Sequence, residues 1–197
     1  MAQFRAELFD RPQVDTDVTV LTWPSSREER EVIRDFEVSD SLGRLVARAS
    51  ASYVIIDLAT RRAIRIGDLV PPDYHVDRRA MVEPGRPIPK LARVDHEVRL
   101  PVMFRDLDVN LHVNNVVYAQ WALEAVPLDL WTSHRLATME IGYRAEVRQG
   151  CSVAIAIAVD RAGSDVQIGH QVAIAETGVE AARIRTTWCG RSAGRPA

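Results

Sequence analysis

One helix-forming segment constrains the fold more than any other part of this chain. Within residues 116–126 the only strongly polar side chains are Gln120 and Glu124, which stand four positions apart. Residues four apart lie on the same face of a helix, so only one narrow stripe of this helix is polar. A helix that is apolar almost all round is usually buried. We therefore expect it at the centre of a domain.

Local signals bound this helix and predict strands on both sides of it. Asn114 or Asn115 suits the N-cap, and Pro127 marks the end. Alternating segments are expected to form strands over 94–104 before the helix and over 136–147, 151–160, 166–175 and 179–189 after it. In the first of these strands one face would hold Val94, His96, Val98, Leu100, Val102 and Phe104, with Pro101 at an edge or bulge. A buried helix followed by antiparallel strands predicts an α+β fold of the hotdog type, in which a sheet wraps around a helix.

The N-terminal part of the chain predicts strands without such a helix. From Asp17 to about Ile66 the apolar residues alternate, as in Val18 and Val20, and a run over 44–58 is rich in small and β-branched residues. No candidate for a central helix exists before Asp17, since sixteen residues that contain Pro12 cannot supply a three-turn apolar helix plus a strand. Five of the ten prolines lie in 68–93, which is too many for a long helix or a central strand. We therefore predict an incomplete hotdog over 1–67, a linker over 68–93, a hotdog over 94–190 and a frayed tail over 191–197.

A weak internal repeat supports a tandem arrangement. Five residues recur with identical spacing at an offset of 135 positions (178 − 43): Gly43, Ala47, Arg48, Ser52 and Tyr53 against Gly178, Ala182, Arg183, Thr187 and Trp188. Any two β-hairpins can show such similarity, so this alternative stays open. If the repeat holds, Met1 corresponds to about Leu136, and the first unit lacks the opening strand and helix of the second.

Composition excludes several classes of protein. Apolar residues make up 47% and charged residues 26%, which is typical of a globular chain and not of a disordered one. The net charge of −2 offers no basic excess for nucleic acid. The longest apolar run, 153–159, is far shorter than the about 20 residues of a membrane-spanning helix. Two cysteines and the absence of a signal-peptide pattern favour a reducing, cytoplasmic location.

The loop before the buried helix concentrates the polar chemistry. Residues 105–115 supply two carboxylates, one histidine and three amides. His112 can transfer a proton near neutral pH, and Asn110 can donate to a carbonyl oxygen that gains charge. Asp108 can orient the imidazole or the amide, although a purely structural turn and helix cap is the alternative. No histidine has a partner at zinc spacing, so neither a metal nor a cofactor is expected.

The residues of this loop and helix resemble a known enzyme family. The stretch 106–127, DLDVNLHVNNVVYAQWALEAVP, is similar to the signature of acyl-ACP thioesterases, the plant and bacterial double-hotdog enzymes that release fatty acids from acyl carrier protein (ACP). Shorter stretches also resemble the family, namely 22–24, 34–36, 49–57 and 60–62 in its first hotdog and 141–146 in its second. The resemblance covers about 15–190. It implies a thioester hydrolase of fatty acid biosynthesis and lipid metabolism, with acyl-ACP as the partner.

The resemblance also implies roles for single residues. Asp108, Asn110 and His112 match the family's catalytic loop, and Glu146 matches its catalytic carboxylate in a Tyr-Arg-x-Glu strand. In plant members a cysteine proposed as the nucleophile follows this glutamate, whereas here that position is Val147. We therefore expect direct attack by a water molecule. Either Glu146 or His112 could be the base.

The carrier and the substrate leave further alternatives. Acyl carrier proteins are acidic, so Arg144 and Arg148, which flank Glu146 on the predicted strand, are candidates for carrier docking, with a solvated face as the alternative. Arginines would suit the phosphates of coenzyme A equally well, so a hotdog acyl-CoA thioesterase is a second hypothesis for the function. A non-catalytic remnant that binds an acyl group or a carrier protein is a third. An R-specific enoyl hydratase is disfavoured, since its motif resembles D-x-N-P-x-H, whereas His112 follows Asp108 by four residues without a proline.

The incomplete first hotdog carries an expectation of its own. Its apolar strand face would normally pack on a central helix, and no candidate for that helix exists before Asp17. Large apolar side chains left exposed would cost roughly 1.5–3 kcal/mol each. We therefore expect either that the gene product begins upstream of this chain or that a second chain covers the sheet in a homodimer. The first alternative is favoured by both the repeat and the resemblance.

Overall fold

The computed structural model describes residues 1–27, 30–57, 59–60, 62–66, 69–81 and 87–191. The chain forms two compact units, Met1–Arg86 and Pro87–Ala197, so the division falls inside the predicted linker. The described linker residues contain a 3₁₀ helix, Pro72–Tyr74, and neither an α-helix nor a strand. Linker residues 82–86 and the tail 192–197 lie outside the described residues.

Unit 1 contains four antiparallel strands in the order β2-β3-β4-β1. Their bounds are β1 Gln3–Leu8, β2 Val18–Arg27, β3 Glu31–Asp40 and β4 Leu45–Val54. Strand β1 precedes the region, Asp17 to about Ile66, in which strands were predicted, and it pairs with β4 along its whole length. The signal was present in the sequence: Phe4, Ala6 and Leu8 alternate with charged residues over these six positions. The pairing also brings Glu7 within 2.6 Å of Arg48.

The two faces of the unit 1 sheet differ in how they are covered. On one face the Trp23 indole donates to the Arg78 carbonyl at 2.8 Å, and the buried Asp35 carboxylate accepts from the Ala80 backbone at 2.7 Å. Alternate strand residues point to the opposite face, which is apolar, and there Val20 is 58% exposed. The described residues of this unit include no α-helix. The predicted run over 44–58 ends early, at Val54, and Leu58 lies outside the described residues.

Unit 2 has the hotdog architecture that the helix pattern predicts. Its five strands lie in the antiparallel order β6-β9-β8-β7-β5. The bounds are β5 His96–Pro101, α1 Asn115–Glu124, α2 Leu128–Ser133, β6 His134–Tyr143, β7 Ser152–Ala162, β8 Asp165–Ile174 and β9 Glu180–Gly190. Helix α1 packs against β8 and β9, and its buried side chains are Val117, Tyr118, Trp121 and Ala122. The strands supply buried isoleucines at 155, 157, 168 and 184.

The ends of the elements around α1 agree with the prediction in one place and differ from it in two. Asn114, one of the two residues predicted as the N-cap, is the N-cap, and its side chain accepts from the Val116 backbone. Pro127 ends α1 but also begins α2, which was not predicted, because a proline at a helix start lacks only an N–H that the helix does not use. Strand β5 stops at Pro101, and Phe104, 75% exposed in the 3₁₀ helix Phe104–Asp106, is not on its face.

The internal repeat is visible in the strand order of each unit. The order β2-β3-β4-β1 in unit 1 matches β7-β8-β9-β6 in unit 2. Gly43 and Gly178, the first matched pair, both have a left-handed backbone (φ 75° and 71°) in the turns before β4 and β9. The described part of unit 1 has no counterpart of β5 or α1. The fold is therefore a tandem hotdog whose first unit is incomplete.

Candidate active site

The loop between β5 and α1 is anchored by Asp106. This carboxylate is only 8% exposed and accepts from the Met103 backbone at 2.8 Å. The Asp106 carbonyl in turn accepts from the Asn114 backbone at 2.8 Å. Asp106 thus ties the entrance of the loop to the N-cap of α1. Because its two ends are hydrogen-bonded to each other, the seven-residue loop between Asp106 and Asn114 is compact.

A turn closed by Asp108 shapes the tip of this loop. The Asp108 N–H donates to the His112 carbonyl at 2.8 Å, and the Asp108 carboxylate accepts from the backbone of Asn110 at 2.8 Å and of His112 at 3.4 Å. Between them, Leu111 has a left-handed backbone with φ 59°. A leucine rarely adopts this conformation, and such strain persists where surrounding contacts fix the chain. The turn therefore holds His112 in one position.

The contacts of Asp108 define how it acts on the loop. Backbone hydrogen bonds, first from Asn110 and then from His112, lower the pKa of Asp108, and the Asn110 side chain contributes in the same direction. Asp108 accepts from the backbone N–H groups of Asn110 and His112. The Asp108 carboxylate contacts the backbone N–H of His112, so it positions the backbone of His112.

The second wall of the site is the segment that follows β6. The Val113 N–H donates to the Val147 carbonyl at 2.9 Å, and His112 and Arg148 form a β-bridge. This pairing lays the loop alongside 146–148. The His112 Nε2 atom then lies 3.4 Å from Glu146 Oε2, with side-chain exposures of 23% and 40%. A histidine and a carboxylate at this distance, partly shielded but open to solvent, can share and transfer a proton.

Glu146 and its two neighbouring arginines are not on a strand, contrary to the prediction. Strand β6 ends at Tyr143, because the N–H groups of Arg144 and Ala145 both donate to the Ala181 carbonyl, at 2.9 and 3.2 Å. This doubled contact breaks the alternation beyond Tyr143. The two arginines consequently have different surroundings. Arg144 Nε lies 3.2 Å from Glu180, whereas Arg148 Nη2 lies 3.8 Å from Glu146.

Tyr118 on α1 reaches the same segment and was not identified from the sequence. Its hydroxyl donates to the Ala145 carbonyl at 3.3 Å. Burial, and to a lesser extent the charge of Glu146, raise the pKa of Tyr118 to about 12, while a hydrogen bond with the Val147 backbone opposes the rise. A phenol on the buried face of an otherwise apolar helix was the available signal, since such a hydroxyl usually needs a partner.

The two cysteines lie outside the loop and the segment that form the site. Val147, at the position of the plant cysteine, is fully buried. Cys151 precedes β7, and Cys189 lies in β9, paired with Arg135 and Asp165. Across the described part of the chain, no group of three His, Cys, Asp or Glu side chains is placed to hold a metal ion. Nor does any described helix have both the length and the apolar character needed to cross a bilayer.

Two family models match the chain over most of its length. The acyl-ACP thioesterase C-terminal domain matches residues 90–190, and the N-terminal domain matches residues 2–74. The chain belongs to the acyl-ACP thioesterase family. The first match contains the loop, α1 and Glu146, so the resemblance seen in the sequence is confirmed.

A curated relative agrees with this assignment, and solved structures share the fold. An acyl-[acyl-carrier-protein] hydrolase of Cuphea viscosissima is 32% identical over 90% of this chain and 45% of its own length. The 12:0-ACP thioesterase of Umbellularia californica has a TM-score of 0.83 at 24% identity, covering 96% of this chain and 72% of that one. An acyl-ACP thioesterase of Bacteroides thetaiotaomicron has a TM-score of 0.79 at 21% identity, covering 95% and 74%. The chain spans about half the length of the curated relatives it matches.

Proposed function

We propose that this chain hydrolyses the fatty-acyl thioester of acyl carrier protein and releases a free fatty acid, as a step of fatty acid biosynthesis. The observation that carries the proposal is the 3.4 Å contact between His112 and Glu146, on a loop fixed by Asp108 at the start of a buried helix. The relatives named as acyl-ACP hydrolases support the substrate.

The proposed chemistry is direct attack by water. A water molecule gives a proton to Glu146 or His112 as its oxygen bonds to the thioester carbonyl carbon. The carbon–sulfur bond then breaks, and the departing thiolate takes up a proton from the same pair. A positioned acid or base of this kind contributes about 10²–10⁴-fold to the rate. No covalent intermediate is required, which agrees with valine at position 147.

Two groups could stabilise the oxyanion. The side-chain amide of Asn110 carries N–H groups that can donate to a carbonyl oxygen that gains charge. The backbone N–H of Asn115, at the start of α1, has no acceptor among the described residues. Donors aimed at the developing charge are often the largest single contribution to catalysis. Either donor would serve a carbonyl oxygen placed beside the first turn of α1.

Arg148 is the better of the two candidate carrier contacts. It is 66% exposed and stands beside Glu146, where the pantetheine arm of a carrier would have to enter. Arg144 is engaged by Glu180, so it has less positive potential to offer an acidic partner. The cytoplasmic location and the homodimer stay predictions.

The experiment that tests the proposal compares one acyl group on two carriers. The purified chain is given matched acyl-ACP and acyl-CoA, and the free thiol released is followed with time. We expect hydrolysis of both, with the higher kcat/KM for acyl-ACP. A preference for acyl-CoA would support the coenzyme A alternative. No thiol release from either carrier, by a folded chain, would support a non-catalytic binding role.

A further inference from the structure

Tyr118 places a hydroxyl group next to the residue before Glu146. The side chain is 3% exposed, and its oxygen donates to the Ala145 carbonyl at 3.3 Å. Tyr118 sits on α1, whereas Ala145 lies beyond the end of β6. The contact therefore ties the central helix to the segment that carries the carboxylate.

The neighbours of Tyr118 fix its ring. Its centroid lies 5.3 Å from that of Tyr143, nearly edge-on at 84°, and 5.3 Å from that of Trp121 at 58°. Aromatic pairs in these tilted and edge-on geometries are favourable beyond their buried area. Because the ring cannot turn freely, the hydroxyl is held at one point beside the backbone of 145–147.

Other contacts hold the segment around Glu146 on two sides. The ladder of β6 stops at Tyr143, and beyond it the Arg144 and Ala145 amides share one carbonyl of β9. On the loop side, the Val147 carbonyl accepts from Val113. Tyr118 adds a contact on the helix side, through the carbonyl of Ala145 directly before Glu146.

We infer that Tyr118 is a positioning residue that holds the Glu146 carboxylate at His112 by fixing the backbone at Ala145. This inference rests on the proposed function, in which Glu146 and His112 transfer the proton. Tyr118 acts as a neutral hydrogen-bonding group throughout, since its raised pKa keeps the phenol protonated at neutral pH. It is not a proton acceptor in the reaction.

A double-mutant cycle tests the inference through kinetics. In the otherwise unchanged chain, Tyr118→Phe should lower kcat about tenfold, the value of one lost hydrogen bond, with KM within about twofold. In a Glu146→Ala background the same substitution should cost less than about twofold, because the group it positions is gone. Equal losses in both backgrounds would show a general structural role and overturn the inference.

Tyr143→Phe is the matched control. It removes a hydroxyl from the neighbouring ring, whose hydrogen bond goes to the Asn115 carbonyl at 3.1 Å. Whatever its effect on kcat, that effect should be the same with and without Glu146. Coupling of Tyr143→Phe to Glu146 as strong as that of Tyr118→Phe would contradict a specific role for Tyr118.

Amide hydrogen exchange gives a readout that does not depend on activity. Exchange at the Val147 amide should become about tenfold faster in Tyr118→Phe and should stay unchanged in Tyr143→Phe. If the unmodified chain hydrolyses no thioester, the proposed function fails, yet this exchange rate still decides whether Tyr118 holds the segment. Unchanged Val147 exchange in Tyr118→Phe would overturn the inference.

Discussion

His112 Nε2 lies 3.4 Å from Glu146 Oε2, although the two residues are 34 positions apart (146 − 112) in the chain. The backbone explains this proximity: His112 forms a β-bridge with Arg148, and Val113 donates to the Val147 carbonyl. The distance between the two side chains thus depends on how two loops pair. Substitutions that loosen either loop should lower activity without touching the imidazole or the carboxylate.

Asp108 offers the first test of this dependence. Asp108→Ala removes the acceptor for the Asn110 and His112 amides, and kcat should fall about tenfold as the turn loosens. Asp108→Asn keeps a side-chain oxygen in the same place, so its kcat should stay within about threefold of the unmodified chain. Steady-state kinetics on acyl-ACP measures both. Equal losses in the two variants would mean that charge, and not the turn, is what matters.

The cysteines should be dispensable. Val147 occupies the position of the cysteine in plant members, and Cys151 and Cys189 lie beside or within strands β7 and β9. Because water attacks directly in the proposed mechanism, Cys151→Ala and Cys189→Ala should each keep kcat/KM within about twofold. Treatment of the unmodified chain with a thiol-alkylating reagent is a parallel check. A loss of a hundredfold or more in either variant would contradict direct attack.

Charge reversal at Arg148 should weaken carrier docking. Arg148→Glu should raise the KM for acyl-ACP about fivefold at low salt, and the difference should shrink at about 0.5 M salt as charges are screened. Arg144→Glu should do less, since Arg144 is engaged by Glu180. Arg161→Glu, at a 58% exposed arginine outside the site, serves as the control. If Arg148→Glu leaves the KM for acyl-ACP unchanged, Arg148 is not part of the docking surface.

His170 should make the fold sensitive to acid. Burial lowers the pKa of His170 to about 3, and its Nε2 atom lies 3.0 Å from the Thr186 hydroxyl. In the unfolded chain a histidine titrates near its ordinary value of about 6.5, so below that pH only the unfolded state binds the proton. The free energy of unfolding should therefore fall by up to about 1.4 kcal/mol per pH unit between about 6.5 and 3.

Urea unfolding at pH 7.5 and at pH 5 measures this contribution. The fall in the free energy of unfolding between the two pH values should be about 2 kcal/mol smaller in His170→Phe than in the unmodified chain. His134→Phe, at a histidine that is not fully buried, serves as the control and should keep the original pH dependence. An unchanged pH dependence in His170→Phe would show that His170 does not resist protonation in the fold.

Periodicity predicted the parts of the fold that repeat regularly. The apolar helix and the four strands after it follow from spacings of 3.6 and 2 residues, and each was found within a few positions of its predicted bounds. Strand β1 was missed because six residues give a weak pattern, and α2 because Pro127 signals both an end and a beginning. Local sequence patterns do not reveal where a ladder breaks, so Glu146 was predicted on a strand that stops at Tyr143.

The residues of the candidate site also divide into those that local sequence indicates and those that it does not. The loop residues Asp108, Asn110 and His112 stand out because their types and spacing are local, and Glu146 required the family resemblance. Tyr118 could not be assigned, since its partner lies 27 positions away on a segment without regular structure. Contacts between distant segments depend on packing, which a single sequence does not display.

The central claim is that His112 and Glu146 together carry out thioester hydrolysis. The most direct measurement is the rate of free thiol release from acyl-ACP by the unmodified chain, His112→Ala and Glu146→Ala, each shown to be folded. We predict that the unmodified chain turns over the thioester and that each substitution lowers kcat by about 10²–10⁴-fold. A folded variant of either residue that retains full kcat would contradict the account.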